Sequence, residues 1–182
     1  MQGGAHNDHG PLLTGLAPET EYRYVLQGSD AAGAIYRSDV VTFTTPPAID
    51  SGLGANIATS ATITDVSSEF SDTFAAANAI DGNPATEWST AGDGDNASIE
   101  LDLGQDEPIT AVAYRTRQMT DGSAITETFT VTIDGTTLGP FPAGPYPVVL
   151  DEPTTGQILR FDAEQTTGGN TGATEIEIYG SD

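Results

Sequence analysis

The sequence predicts an all-β chain: an antiparallel jelly-roll sandwich preceded by a few strands of a second β-rich segment. Three observations predict it. Apolar residues alternate with polar ones along many short runs, turn residues separate those runs, and helix signals are nearly absent. The one helical candidate, Phe74-Ala75-Ala76-Ala77-Asn78, falls short of the ~12 residues an independent helix needs. No strand pattern alternates with a long helix, which excludes nucleotide-binding α/β folds.

In the first block Tyr22, Tyr24 and Leu26 alternate with Arg23, Val25 and Gln27, and a second run covers 39–44. Thr44-Thr45-Pro46-Pro47 closes this block, because two prolines remove two ladder donors and force extended backbone. The expected division is a segment 1–46, a linker 47–51 and a second block 52–182. In the second block Ile99, Leu101 and Leu103 alternate with Glu100 and Asp102. Further strands are expected over 109–117, 126–134, 158–162 and 175–179. Turns punctuate them at Asp81-Gly82-Asn83-Pro84, Asp121-Gly122, Asp134-Gly135, Gly139-Pro140 and Gly168-Gly169-Asn170. Many short strands between turns are the pattern of a sandwich or jelly roll.

The 182 residues carry 27 acids against 5 arginines and no lysine, a net charge of −22. That charge repels nucleic-acid phosphates and anionic headgroups, which argues against nucleic-acid partners and against a membrane. It fits either a salt-adapted surface or a chain kept soluble by self-repulsion. Without cysteine there is no disulfide framework, no thiolate metal site and no cysteine nucleophile. No apolar run reaches the ~20 residues that span a bilayer, and residues 1–20 lack a signal-peptide core.

Leu13-Thr14-Gly15-Leu16-Ala17-Pro18-Glu19-Thr20-Glu21-Tyr22, the alternating strand after it and Thr44-Thr45-Pro46 resemble the fibronectin type III family. The resemblance implies a tyrosine corner, with the Tyr22 ring buried and its hydroxyl bonded back across the turn. Only about the last three strands of such a domain are represented. A half sandwich leaves one face bare, so this segment is expected either to continue upstream of Met1 or to complete itself by association.

In the second block, Asn56-Ile57-Ala58 is followed by Asn78-Ala79-Ile80-Asp81-Gly82-Asn83-Pro84-Ala85-Thr86-Glu87-Trp88-Ser89. Then come Ile99-Glu100-Leu101-Asp102-Leu103-Gly104 and Ala173-Thr174-Glu175-Ile176-Glu177-Ile178-Tyr179-Gly180. This order and spacing resemble the discoidin or coagulation-factor type C family, also called galactose-binding-like, and its bacterial carbohydrate-binding branch. The match covers about 52–180.

The residues suit a hard cation, which takes six or more oxygens at about 2.3–2.6 Å from a sharply folded loop. Asp81-Gly82-Asn83 supplies a carboxylate, a turn and a carbonyl, Thr86 adds a hydroxyl, and Glu175 closes the set from a distant strand. The same four residues from Asp81 also describe a plain Asx turn. By position, the resemblance implies a structural calcium held by the carbonyls of Asn78, Asn83 and Thr174, the side chains of Asp81 and Glu175, and both oxygens of Thr86. It also implies that Trp88, the only tryptophan, lies in the core.

Tyr114-Arg115-Thr116-Arg117-Gln118-Met119-Thr120-Asp121-Gly122 resembles the branch's strand-end segment. That resemblance implies Arg117 as a planar donor to vicinal sugar hydroxyls, with Gln118 and Asp121 beside it. An arginine surrounded by so many acids equally suits a plain ion pair. Phe141 and Tyr146, in the proline-rich 139–147 stretch, are the stacking candidates. The histidine that commonly follows the tryptophan is replaced by Ser89-Thr90-Ala91-Gly92, and His6 and His9 both lie in the first block. Asp93-Gly94-Asp95-Asn96 is a solvated turn or a second cation loop.

The expected function is a non-catalytic carbohydrate-binding module, calcium-stabilised, in an extracellular or cell-surface protein and taking a glycan or polysaccharide. The alternative is an adhesion or assembly module with 1–46 as its interface. An enzyme is disfavoured: the second block has no histidine to activate a nucleophile, and Glu175 and Glu177 share one strand face rather than opposite sides of a scissile bond.

Overall fold

The computed structural model describes residues 16–17, 20–45, 53–119 and 121–180. The chain divides into two compact units, Met1–Gly52 and Leu53–Asp182. The expected linker 47–51 and both histidines lie outside the described residues.

The first unit is one long hairpin. β1 (Glu21–Tyr24) pairs antiparallel with β4 (Val41–Thr44), and β2 (Gln27–Ser29) with β3 (Ile35–Arg37). Between the two ladders the Leu26 carbonyl accepts the Ser38 N–H at 2.9 Å, and the Leu26 N–H donates to Ser38 Oγ at 3.0 Å. At the tip Asp30 Oδ1 accepts the amides of Ala32 and Ala34, both at 2.9 Å, and Gly33 takes φ +84°. The Tyr22 hydroxyl accepts the Ala17 N–H at 2.7 Å, while its ring is half-buried rather than buried as expected. Tyr22 and Tyr24 pack on Phe43, with centroids 5.9 and 6.1 Å apart. Leu26, Ile35, Tyr36 and Val40 remain exposed. The alternation therefore places the rings correctly but buries no face, because one hairpin has no second layer to bury it against.

The second unit is a sandwich organised by two 19-residue strands, β6 (Ser98–Thr116) and β9 (Val148–Thr166). Their mutual register is irregular between Asp102 and Glu107 and again between Ile109 and Ala111. At those breaks each strand passes from one layer to the other. In the first layer, the early part of β6 pairs with β5 (Thr62–Val66) and with the late part of β9. The late part of β9 also pairs with β7 (Thr126–Ile133), and β7 with β8 (Thr136–Pro142). In the second layer, the late part of β6 lies between β10 (Ala173–Gly180) and the early part of β9. The two runs expected at 99–103 and 109–117 are thus one strand, bent at Gly104, whose φ of +82° suits glycine.

Between the layers Ile99, Leu101, Ile109, Val112, Leu159, Phe161, Ile176 and Ile178 are fully buried. Phe129 is the hub, with ring centroids 5.5 Å from Tyr114, 5.8 Å from Phe141 and 6.0 Å from Phe161. Helix is confined to single turns; the expected helical stretch contributes one at Ala76–Ala79 and another at Asp72–Phe74. Four loop segments tie together at one end of this core: 68–74, 88–93, 117–123 and 168–172. The Trp88 N–H donates to the Ala173 carbonyl (2.9 Å), Thr90 to Thr171 (2.8 Å), Arg117 to Gly172 (3.2 Å) and Phe70 to Ser89 (2.7 Å).

Candidate functional site

The expected cation loop folds tightly. Asp81 Oδ1 accepts the Asn83 N–H at 2.8 Å, and Asn83 Oδ1 accepts the Ala85 N–H at 3.2 Å. Thr86 donates its hydroxyl to Asp81 Oδ2 (2.8 Å) and to the Asn83 carbonyl (2.7 Å). Gly82 sits at φ +74°, which lets the chain reverse within three residues. This is an Asx turn in full. The Asn78 side-chain amide braces it by donating to the Thr73 and Glu87 carbonyls, both at 2.9 Å. Thr174 donates its hydroxyl to the Arg115 carbonyl at 3.3 Å.

Glu175 is the anomaly. It is only 3% exposed, and neither carboxylate oxygen has a hydrogen-bond partner. Its pKa is pushed up to about 7, first by burial, then by the negative charges of Asp81 and Glu177. A buried, unpartnered carboxyl facing a second carboxylate is a costly arrangement unless a cation joins them. Among the described residues no three of histidine, aspartate and glutamate gather as a metal cluster. A cation at Asp81 and Glu175 would need neutral oxygens of the loop to complete its shell. Glu177, two residues on, is satisfied instead: it accepts Arg115 Nε at 2.7 Å and the Tyr179 hydroxyl at 2.9 Å.

Trp88 is fully buried, as expected of a core residue, and donates Nε1–H to the Ser68 carbonyl at 2.9 Å. Ser68 passes its hydroxyl proton to Asp93 Oδ2 at 2.6 Å. Asp95 accepts the Thr166 hydroxyl at 2.7 Å, so both acids of the 93–96 turn serve as local acceptors.

Arg117 departs from its expected place. The residue is 6% exposed, and its guanidinium donates to Glu87 Oε1 at 2.8 Å and to the Asn170 carbonyl. Its Cζ lies 5.7 Å from the centroid of the Phe74 ring. The fork is thus directed inward to an ion pair and a carbonyl, the plain ion-pair alternative that the surrounding acids also suited. The physical reason is tertiary: β6 ends at Thr116, the amide of Arg117 donates to the Gly172 carbonyl, and the side chain lies between the 87 and 170 segments. Gln118 and Met119 are exposed beyond it. Asp121 caps its own turn, accepting the Ser123 hydroxyl (2.6 Å) and amide (3.0 Å), and those bonds hold its carboxyl below the usual range.

Phe141 is not part of this cluster. It is half-buried on edge strand β8 against Phe129 and lines a separate groove, while Tyr146 is 49% exposed.

Two rings that the strand patterns pass over stand at the loop end. Phe70 is 55% exposed and meets Phe74 edge-to-face at 6.0 Å. Ser89 fixes both backbones, its carbonyl accepting the Phe70 amide and its own amide donating to the Phe74 carbonyl at 3.2 Å. The signal available in sequence was the pair of phenylalanines four apart in Ser67-Ser68-Glu69-Phe70-Ser71-Asp72-Thr73-Phe74, apolar residues with no alternating partners.

Known structures share this architecture. Chitosan-binding module 2 of the chitosanase/glucanase from Paenibacillus sp. IK-5, solved with chitotriose, is 21% identical with a TM-score of 0.58, covering 69% of this chain and 100% of that one. Chitosan-binding module 1 of the same enzyme is 24% identical with a TM-score of 0.56, covering 69% and 99%. The family 32 CBM from C. perfringens NanJ, solved with galactose, is 23% identical with a TM-score of 0.57, covering 68% and 97%. No curated protein sequence matches significantly. The F5/8 type C domain profile matches residues 62–178, well over half of the sequence. With the bent-strand sandwich and its tied loop end, that match establishes that this chain belongs to the F5/8 type C domain family.

Proposed function

We propose that the chain is a non-catalytic glycan-binding module, an accessory part of a secreted or cell-surface protein, with its ligand at the loop end. The observation that carries this is exposed Phe70, held edge-to-face against half-buried Phe74, with both backbones fixed by Ser89 and the Arg117–Glu87 ion pair behind Phe74. Pyranose rings present a C–H face that stacks on such rings, and Gln118 and Asp121 stand exposed on the adjoining loop to meet hydroxyls. A shallow platform of this kind predicts weak, multivalent capture of a polymer. The likeness to modules solved with chitotriose and galactose supports the reading.

Calcium belongs to this proposal as a structural ion. The residues that would hold it are Asp81 and Glu175 through their side chains, Asn78, Asn83 and Thr174 through their carbonyls, and Thr86 through both oxygens. When bound, the ion supplies the positive charge that the paired carboxyls lack. The chain's own residues bring the 81–86 loop against the start of β10, next to the Trp88 segment.

Affinity electrophoresis in gels containing soluble polysaccharides, with calcium and with chelator, tests the reading. Retardation by at least one polysaccharide is expected, and Phe70→Ala together with Phe74→Ala should abolish it. No retardation by any polysaccharide in either condition would overturn it.

A second reading, protein association through 1–46, is favoured by one observation, the exposed Leu26, Ile35, Tyr36 and Val40 of the fibronectin-like hairpin. It predicts concentration-dependent self-association by sedimentation velocity that disappears when 1–46 is deleted.

A further inference from the structure

Away from the loop end, a groove of about 470 Å³ runs along the side of the sandwich. It lies at the seam where both layers end. β8 pairs only with β7, and the early part of β9 pairs only with β6, so each presents an open edge. The walls are Leu138, Pro140 and Phe141 on one side and Val149 and Leu150 on the other, with Asp151 and Glu152 at the rim. The volume falls in the roughly 300–1,000 Å³ range of small-ligand clefts.

Two features select the occupant. The walls are largely apolar and Val149 is 64% exposed, so a ligand with a hydrophobic face gains by covering it. The rim carries two exposed carboxylates, and no arginine or histidine lines the groove. Elsewhere in the sandwich the acids are largely engaged. In the larger polar groove over β7 and β9, Asp162 takes Arg160, Glu164 takes Thr130 and Asp95 takes Thr166. The carboxylates of Asp151 and Glu152 accept no such bond among the described residues; Glu152 accepts the Thr154 hydroxyl only through its backbone carbonyl. Peptide addition along the open edges is blocked by Pro140 and Pro142 on β8 and Pro153 on β9, since each removes a backbone donor. What remains is a compact ring that is apolar on one face and cationic at its edge.

We infer that the seam groove is a second glycan subsite, which takes a pyranose bearing a free, protonated amine. This rests on the reading of the chain as a glycan-binding module, and it adds a site remote from the Phe70–Phe74 platform. Two sites on one rigid body would raise affinity for a polymer above that for its monomer without any new contact.

The test is an amide-resolved NMR titration of the full chain with two probes, the glucosamine trimer and its fully N-acetylated counterpart. The glucosamine trimer is expected to shift the amides of 138–141 and 148–152. The acetylated trimer should act there at least tenfold more weakly, and 0.5 M salt should weaken the glucosamine trimer severalfold. Asp151→Asn with Glu152→Gln, both exposed, should weaken the groove response at least fivefold while the loop-end response persists. Val149→Arg, which places a cation on that wall, should abolish it. Shifts confined to the loop end, or equal groove responses to both probes, overturn this inference and leave the loop-end reading standing. Silence of every amide toward both trimers overturns the two together. Groove shifts without loop-end shifts keep the inference and move the module's site to the seam.

Discussion

At the scale of single residues, Glu175 and Arg117 show that burial, more than residue type, decides what a charge does. Glu175 is expected to cost stability in metal-free protein. Its pKa is raised from 4.5 to about 7, so the folded state holds the proton more tightly than the unfolded chain. The sign follows: stability falls as pH climbs through that window and stays lower above it. Glu175→Gln removes the cost. In chelator at pH 8 the variant should melt several degrees above the parent, a gain on the order of 1–3 kcal/mol, and the advantage should vanish near pH 4. Calcium should raise the melting temperature of the parent and leave that of the variant unmoved; equal responses to calcium would remove this site from consideration.

Arg117 makes the opposite prediction. Truncating it leaves half-buried Glu87 without its partner and the Asn170 carbonyl without a donor, so Arg117→Met should cost about 1.5–3 kcal/mol in a denaturant titration. Combining it with Glu87→Gln should recover part of that loss, as coupled neighbours do. The sequence marked Arg117 correctly as a special position. It could not show the side chain's direction, because its partners, Glu87 and the Asn170 carbonyl, are distant in the chain.

At the scale of elements, the strands of the second unit legible in sequence were those with well-buried positions: β7 and β10, both parts of β6, read as two runs, and the late part of β9. The missed ones are edges. β5 is largely exposed, β8 carries two prolines and reads as a loop, and the early part of β9 is interrupted by Pro153 and Gly156. Edge strands satisfy fewer neighbours, so their patterns are weaker and their prolines are tolerated. The joint between Trp88 and Gly172, just before β10, is close-packed. A Cβ on Gly172 would collide with the carbonyl of Trp88. Gly172→Ala is accordingly expected to destabilise by about 1–3 kcal/mol through overpacking, measured by thermal melting. The same change should also perturb Arg117, whose amide bonds to the Gly172 carbonyl.

At the scale of the whole molecule, the two units differ in kind. Among the described residues the buried hydrophobic cluster lies in the second, from Ala58 to Ile178. A chain of 53–182 should therefore fold alone and melt cooperatively, which circular dichroism would show; a non-cooperative melt would contradict the separateness of that core. A net charge of −22 makes self-repulsion a general term. Raising salt from ~0.1 to ~1 M shortens the screening length from about 10 to about 3 Å and should raise the melting temperature of the full chain.

The sequence by itself determined the β class and the loop that turns at Asp81-Gly82-Asn83, because these rest on alternation and on local turn chemistry that neighbours in the chain impose on one another; the family and the buried tryptophan followed from the resemblance of its segments to a known family. Tertiary structure alone decided that Arg117 turns inward, that Glu175 is left without a partner, that Phe70 stands exposed against Phe74 at the loop end, and that two open edges enclose a groove. Each of those depends on segments dozens of residues apart being brought within bonding distance, and no periodicity along the chain encodes which ones meet.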